Sequence, residues 1–288
     1  MKFKVYAEGK EASSSISFDL LQDEAIGIFE SMRAYHGKIL HEKEHLQRLC
    51  ESAKTVGYQP VPDPEKLRHE VQLSLKLSGE KNTSVRLTLL GGRVFVIIGS
   101  RGCPKELYQK GVLLKTASFP RGNGNAFPYQ TKASAYQQAV LASTEPHPPD
   151  IFDWIFLDQG NYLTETRVGN FFLVTYTSRK PGLKATLWTP PEHLILNGVT
   201  RKFVIKCALE LGFQVREVPL TRHDFYNADE AFLSNTSWEI LPVRELDGRK
   251  IGIETPGLVT ARLHRYFKRR IQQNVAPNHS SSTHQRFR

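Results

Sequence analysis

Apolar residues recur along the chain with two different periods, and each period predicts one kind of element. Alternation of apolar and polar residues predicts strands, whereas spacing of three or four residues predicts helices. The predicted strands are 3–6, 28–35, 85–90, 94–98, 112–114, 155–157, 171–174, 186–188, 213–218 and 230–233. The predicted helices are 42–57, 64–78, 133–142, 200–211 and 258–271. This mixture indicates a protein of the α/β (α+β) class.

Turn and cap residues set the boundaries of several of these elements. Asp63-Pro64 is a favourable cap and first-turn pair for the second helix, and Gly91-Gly92 is typical of a tight hairpin between two strands. Gly57 ends the first predicted helix and Gly212 follows the fourth, as glycines at helix C-termini commonly do. These positions predict where each element ends.

A stretch rich in glycine, asparagine and proline, Ser118–Gln130, indicates a link between two structured units. We predict a small α/β domain over 1–118, a linker over 119–125 and a larger β-rich domain over 126–272. Residues 273–288 are polar and lack periodicity, which predicts disorder. The 288 residues, 40% of them hydrophobic, suffice to bury a core in two modest domains.

Composition narrows the class of protein. Cys50, Cys103 and Cys207 are odd in number and far apart, which fits neither a metal site nor a disulfide framework, and a reducing cytoplasm is the simplest interpretation. No run is apolar enough to span a membrane, and the first ten residues lack the core of a signal peptide. The net charge of +10 favours anionic ligands. Nucleic-acid binding has no aromatic ladder or basic motif to support it.

One carboxylate lies inside an apolar stretch of the second half. Residues 155–174, IFLDQGNYLTETRVGNFFLV, contain two apolar runs, with a polar turn and then Glu165 between them, which predicts a pair of strands. An ionised carboxylate among apolar neighbours is costly without a cationic partner. That partner is either one of the many arginines and lysines of the chain or a cationic atom of a cofactor.

The spacing of this stretch resembles the class IV aminotransferases, enzymes of fold type IV that use pyridoxal 5'-phosphate (PLP). The family pattern D-x-x-G-x-[VLI]-x-E-x-x-x-x-N-x-F is matched, with small shifts, by Asp158, Gly160, Leu163, Glu165, Asn170 and Phe172. Further segments with the same resemblance are GIFESMRAYHG (27–37), HLQRLCESA (45–53), LNGVTR (196–201) and FLSNTSWEILPV (232–243). The resemblance covers about residues 1–270. It implies a small α/β N-terminal domain and a larger β-rich pseudobarrel domain.

The resemblance also implies site residues. Lys132 is the implied catalytic residue and forms the Schiff base with PLP, while Glu165 faces the pyridine nitrogen. The implied cofactor-binding residues are Arg48, Lys132, Tyr136, Glu165, Gly198, Val199, Thr200, Asn235 and Thr236. The implied substrate-binding residues are Phe29, Arg86 and Ser237, and no metal is expected. The residues alone also fit other interpretations. A cation such as Arg48 on a helix face is more often solvated than a ligand, Tyr136 fits a packing residue, and 198–200 fit an ordinary helix cap.

The activity that the resemblance implies is transfer of an amino group from an amino acid, by preference a branched-chain L-amino acid, to a 2-oxo acid. The family is usually homodimeric, so we expect a homodimer. Two alternatives share the scaffold: an aminodeoxychorismate lyase and a D-amino-acid aminotransferase. The short Gly91-Gly92-Arg93 turn and Phe29 differ from the D-specific enzymes, and the segment after Lys132 lacks the K-x-x-N of the lyases. The longer pocket-closing loop of branched-chain enzymes is also missing.

Overall fold

The computed structural model describes residues 4–7, 9–12, 27–99, 103–121, 128–133, 148–178 and 183–275. The strands are β1 (Lys4–Ala7), β2 (Lys10–Glu11), β3 (Ile28–Tyr35), β4 (Lys38–Ile39), β5 (Thr83–Leu90), β6 (Arg93–Gly99), β7 (Val112–Thr116), β8 (Ile151–Leu157), β9 (Leu163–Thr166), β10 (Asn170–Ser178), β11 (Lys184–Thr189), β12 (Gln214–Glu217), β13 (Glu230–Asn235), β14 (Glu239–Leu246) and β15 (Arg249–Lys250). The helices are α1 (Glu42–Thr55), α2 (Pro64–Ser78), α3 (Leu107–Lys110), α4 (Val199–Glu210), α5 (Arg222–Tyr226) and α6 (Leu258–Val275), with a 3-10 turn at Glu192–Leu194. The predicted mixed class is confirmed.

The first sheet is antiparallel, with strand order β2-β1-β6-β5-β3-β4. Strands β3 and β5 bury every second residue, as their alternating sequences predict. The buried faces pack against α1 and α2, which contribute Leu49 and Val71 to the core. The hairpin between β5 and β6 turns on Gly91 and Gly92, whose positive φ angles of 55° and 74° suit glycine.

The second sheet follows the order β12-β11-β10-β13-β14-β7-β8-β9, with β15 paired to β14. Strands β10, β13 and β14 lie inside it and are buried along most of their length, which accounts for their nearly continuous apolar sequences. Helices α4 and α6 cover one face, where Phe203 and Phe267 pack in a core with the stacked pair Phe172 and Phe232. This sheet supplies most of the charged residues described below.

Several elements differ from the sequence-based prediction. Strand β7 lies within the range 1–118 but pairs in parallel with β14 and β8 of the second sheet. The predicted pair of strands over 155–174 is three strands, because β9 forms separately between β8 and β10. Strand β14 and the short helices α3 and α5 were not predicted. Most of the predicted linker, the predicted helix 133–142 beyond Ala133, and residues 276–288 lie outside the described residues.

The segment Thr131–Ala133 lies against the first sheet and α1. Phe29 N donates to Lys132 O at 3.3 Å, Lys132 N donates to Ser52 Oγ at 3.1 Å, and Ala133 forms an isolated bridge with Ile28. These contacts fix the backbone of Lys132 against the start of β3 and against α1. Within the part of the chain that the structure describes, no helix is long and apolar enough to cross a membrane.

Candidate active site

A cavity of about 520 Å³ lies between the two sheets, with Lys132 in its wall. The first sheet and its helices contribute Phe29, Arg48 and Arg86. The second sheet and its helices contribute Glu165, Thr200, Thr236 and Ser237. The structure therefore brings together every described residue that the resemblance implied for cofactor and substrate. Tyr136 lies outside the described residues.

A more open groove of about 1010 Å³ lies beside Thr116 and Ala117, at the C-terminal end of β7. Its carboxylate, Asp247, accepts hydrogen bonds from the backbone and hydroxyl of Thr116 at 2.7 and 2.6 Å and from Tyr226 Oη at 2.8 Å. Arg249 is exposed and lies over the Tyr226 ring. Asp247 and Arg249 are thus engaged with neighbouring side chains of the surface. The residues that the resemblance implied for chemistry lie together in the smaller cavity instead.

The side chain of Lys132 is partly buried in the wall of the cavity. Burial lowers its pKa to about 8; Arg48 and Arg86 act in the same direction, while Glu30 and Glu165 oppose them. The Nζ atom lies 4.6 Å from the centroid of the Phe29 ring. At neutral pH roughly one amine in ten is then unprotonated. An unprotonated amine is what nucleophilic attack and proton transfer both require.

Glu165, on β9, is almost fully buried and is held by partners on both of its oxygens. Arg121 Nη2 lies 2.6 Å from Oε1, while Asn170 Nδ2 and Leu196 N donate to Oε2 at 2.9 and 3.1 Å. The cationic partner that the sequence analysis required is thus Arg121, which prediction missed because its segment has no periodicity. Arg121 also donates to Leu194 O at 3.1 Å. These contacts fix an ionised carboxylate in the cavity wall.

The start of helix α4 presents backbone N–H groups to the cavity. Its N-cap is Gly198, and no side chain among the described residues caps it. A Cβ at Gly198 would lie 2.2 Å from Asn170 Oδ1, so only glycine fits. The hydroxyls of Thr200 and Thr236 lie 3.2 Å apart beside this helix start. Free N–H groups, a helix dipole and two hydroxyls form a cradle for an anion.

Arg48 is fixed beside this cradle by an ion pair. Its Nε and Nη2 donate to the two carboxylate oxygens of Glu30 at 2.6 and 2.7 Å, and its Nη1 donates to Asn197 O at 2.9 Å. Arg48 is therefore not a solvated cation. Glu30 was missed by the sequence analysis, although a signal exists: it stands at an inward-facing position of an alternating strand, between Ile28 and Met32.

The residues implied for the substrate lie on both sides of the cavity. The guanidinium carbon of Arg86 lies 3.9 Å from the centroid of the Phe29 ring, the same ring that Lys132 Nζ approaches. Ser237 sits in the turn between β13 and β14, where its N–H donates to Asn235 Oδ1 at 2.5 Å and its carbonyl accepts from Arg33. The side chain of Asn235 thus shapes the turn that carries Thr236 and Ser237.

The turn between β9 and β10 closes another part of the wall. The N–H and hydroxyl of Thr166 both donate to Gly169 O at 2.9 Å, and Arg167 Nε lies 3.3 Å from Asp153 Oδ1. Asp153 is buried, and burial raises its pKa to about 6 although Arg167 opposes the shift. This turn joins Glu165 to Asn170, so its position affects both.

The donor set suits a phosphorylated aldehyde cofactor with a basic ring nitrogen. Arg48, the start of α4 and two hydroxyls can bind a phosphate, Lys132 can bind an aldehyde, and Glu165 can accept from a protonated ring nitrogen. The glycine that this cradle requires is present at 198. Among the described residues, no group of histidine, cysteine or acidic side chains could hold a metal ion.

Comparison with known proteins gives one consistent family. Residues 27–246 match the family model described as amino-transferase class IV. The chain is 30% identical over 262 residues to the branched-chain-amino-acid aminotransferase of Escherichia coli (strain K12), covering 83% of this chain and 82% of that protein. It is 29% identical over 262 residues to the enzyme of the same name from Pseudomonas aeruginosa, with 84% and 83% covered.

Solved structures agree with these sequence relatives. A branched-chain amino acid aminotransferase crystallised with pyridoxamine 5'-phosphate superposes with a TM-score of 0.82 at 26% identity, covering 94% of both chains. The Escherichia coli enzyme superposes with a TM-score of 0.79 at 27% identity, covering 91% of this chain and 92% of that one. The two-sheet architecture is thus fold type IV, and the chain belongs to the class IV aminotransferases and is an enzyme of that family.

Proposed function

We propose that this enzyme uses PLP to transfer the amino group of a branched-chain L-amino acid to a 2-oxo acid, with Lys132 as its catalytic residue. The observation that carries the proposal is the amine of Lys132, with its pKa lowered to about 8, in one cavity with Glu165 and the open start of α4. When bound, PLP supplies the electron sink that lets the substrate α-carbon lose a proton.

The residues of the chain divide the remaining work. Lys132 Nζ, when unprotonated, would hold the cofactor aldehyde; once displaced by the substrate amine, it would remove the α-proton of the substrate and deliver it to the former aldehyde carbon of the cofactor. Arg48, the N–H of Val199 and the hydroxyls of Thr200 and Thr236 bind the phosphate. Glu165 keeps the ring nitrogen protonated, because a fixed carboxylate favours the charged form of a neighbouring base.

The lining of the cavity supports a substrate with an apolar side chain and one carboxylate. Phe152 and Trp238 meet edge to face at 5.4 Å in its wall, and Val168 lies beside them. Arg86, held against Phe29, supplies a cation for the carboxylate. The sequence relatives are named for branched-chain amino acids, and one structural neighbour is described in complex with 4-methylvaleric acid. A homodimer is part of the proposal, and light scattering measures it.

The test combines labelling with an activity panel. Borohydride reduction of the PLP-loaded protein should place the label on Lys132, and Lys132→Ala should abolish turnover, whereas Lys202→Ala, at an exposed position of α4, should not. L- and D-amino acids are offered with 2-oxoglutarate or pyruvate, and aminodeoxychorismate is offered separately. Release of 4-aminobenzoate without amino transfer from any donor would overturn the proposal, as would a label on another lysine.

A further inference from the structure

We propose that Glu30 is a positioning residue that presents the guanidinium of Arg48 to the phosphate of the cofactor. The proposal rests on the proposed function, because it concerns how residues of this chain bind that phosphate. The ion pair itself is visible in the structure; the inference is that the pair exists to orient Arg48 rather than to stabilise the fold.

Glu30 is a fully buried carboxylate whose side-chain hydrogen bonds come from Arg48 and His45. It is 0% exposed, and it accepts from Arg48 Nε and Nη2 at 2.6 and 2.7 Å and from His45 Nδ1 at 2.8 Å. Burial alone would raise its pKa, but Arg48 and His45 outweigh burial and lower the pKa to about 2. Glu30 is therefore ionised at any working pH. Because it can only accept, His45 Nδ1 carries the proton.

The hydrogen bonds of Arg48 show which part of the guanidinium remains for a ligand. A guanidinium carries five N–H bonds in one plane. Contacts to described residues use three of them: Nε and one N–H of Nη2 bind Glu30, and one N–H of Nη1 binds Asn197 O. One N–H on each Nη atom is left. Because Arg48 lines the cavity, these two can act as a pair toward a phosphate.

The second anchor of Arg48 places that pair at the phosphate cradle. Asn197, whose carbonyl accepts from Nη1, directly precedes Gly198 at the start of α4. Glu30 and Asn197 therefore fix Arg48 from two sides, next to the uncapped N–H groups of the helix. A long side chain that is already ordered loses less conformational freedom when the ligand binds, which raises affinity.

A purely electrostatic role for Glu30 predicts the opposite sign. A carboxylate close to a phosphate repels it, so removing only a charge would strengthen phosphate binding. Positioning predicts that removing the charge weakens binding, because Arg48 then loses the bidentate partner that fixes its plane. The sign of the affinity change therefore separates the two roles.

The experiment compares ligands with and without a phosphate. The protein freed of cofactor is titrated calorimetrically with PLP, with pyridoxal and with inorganic phosphate, as wild type and as Glu30→Gln. Loss of a residue that orients a metal ligand typically costs about tenfold to a hundredfold in affinity, and we take the same range for a residue that orients Arg48. We expect that loss for PLP and for inorganic phosphate, and no change for pyridoxal. In an Arg48→Ala background, Glu30→Gln should have no further effect on either affinity.

Two further variants keep the result interpretable. Glu230→Gln makes the same change in an equally buried carboxylate at the start of α6, and it should lower the melting temperature without altering phosphate affinity. Glu30→Asp retains the charge but is too short to reach both Nε and Nη2, so it should weaken phosphate binding in the same way. If Glu30→Gln does not fold, the same titrations are made with Glu30→Asp.

The possible outcomes separate this proposal from the proposed function. A wild-type protein that binds no PLP overturns both. A wild-type protein that binds PLP, with Glu30→Gln equal to it or tighter for phosphate, overturns the role of Glu30 alone. An equal loss for pyridoxal and PLP also overturns it, because the effect would then be a general one on the fold.

Discussion

Two helices in the described part of the chain start directly after a glycine, and their first turns are used in opposite ways. At α6, the carboxylate of Glu230 accepts from Val259 N and Thr260 N, both at 2.8 Å, so the chain itself supplies the anion. At α4, no side chain among the described residues caps the first turn, which faces the cavity. A helix start attracts an anion in both places. One site is filled by the fold and the other is left for a ligand.

The two glycines show how closely each start is packed. A Cβ at Gly257 would lie 2.1 Å from Glu230 Cδ, and a Cβ at Gly198 would lie 2.2 Å from Asn170 Oδ1. Both helices also carry a threonine in the first turn, Thr200 and Thr260. The local sequences are thus nearly equivalent. What distinguishes a structural start from a binding site is a carboxylate that comes from a distant strand.

The largest expected effect is on stability, and it follows from removing the carboxylate that binds the start of α6. Glu230→Ala leaves Val259 N, Thr260 N and the hydroxyl of Tyr176 without their acceptor. Each unsatisfied buried group costs about 1–3 kcal/mol, so we expect the free energy of unfolding to fall by roughly 3–5 kcal/mol. Urea denaturation measures this loss. Affinity for PLP, measured on the folded fraction, should stay unchanged; a large loss of affinity would mean that the two helix starts are not independent.

The contrast between these helix starts also explains which parts of the site a sequence can predict. Gly198 and Thr200 stand in the contiguous segment LNGVTR and Lys132 holds a position that the family resemblance implies, so the resemblance indicated all three. Glu30 and Arg121 act on Arg48 and Glu165 across sequence separations that carry no periodic signal, and only the folded chain brings them together. Glu30 offered two clues, its place in the resembling segment 27–37 and its position in the buried phase of an alternating strand, but neither identifies Arg48 as its partner.

The same division applies to the fold: local sequence signals predicted single elements, whereas pairing between distant strands was not predicted. Local signals placed the hairpin at Gly91-Gly92 and the capped start of α2 at Asp63, whose side chain accepts from Glu65 N. The membership of β7 in the second sheet depends on pairing with β14 and β8, which local sequence does not encode. Strand β14 contains Pro242, which argues against a strand in any reading by propensity.

Another buried carboxylate, Asp153, shows the cost of an anion that the fold compensates poorly. Its Oδ1 accepts from Trp154 N and lies near Arg167, and hydrogen bonds from Thr166 and the Val168 backbone also favour the charged form, but together they do not offset burial. Burial raises the pKa of Asp153 to about 6 from an ordinary 3.8. The well-paired Glu30 shifts the other way, with a pKa of about 2.

These shifts predict opposite dependences of stability on pH. A raised pKa in the folded state means that Asp153 contributes most below pH 3.8, and that this contribution is lost as the pH rises through 6. The loss amounts to about 3 kcal/mol by linkage. Relative to Asp153→Asn, the wild type should therefore lose stability between pH 4 and 7, in urea titrations at a series of pH values. Parallel curves for the two proteins would contradict the raised pKa.

A side chain larger than glycine at the start of α4 should lower the affinity for PLP rather than the stability of the fold. Gly198→Ala forces Asn170 away, and Asn170 also holds Glu165 through a 2.9 Å hydrogen bond. We expect PLP to bind about a hundredfold more weakly, or about 2.7 kcal/mol. Gly257→Ala is the matched control, because it creates an equally close contact at α6 and should lower the melting temperature while leaving PLP affinity intact. Equal effects of both variants on affinity would remove the distinction between the two starts.

The smallest effect compares the two first-turn threonines. Thr200 Oγ1 lies 3.2 Å from Thr236 Oγ1 in the cradle, and Thr200→Val should weaken PLP binding roughly tenfold, the worth of one hydrogen bond to a charged group. Thr260 Oγ1 is buried and has no hydrogen-bond partner among the described residues, so Thr260→Val exchanges an unsatisfied hydroxyl for a methyl group. Thr260→Val should leave the melting temperature unchanged or raise it, and it should not change the affinity for PLP. Titration and thermal melting of both variants decide whether a hydroxyl in a first turn matters only where the anion comes from outside the chain.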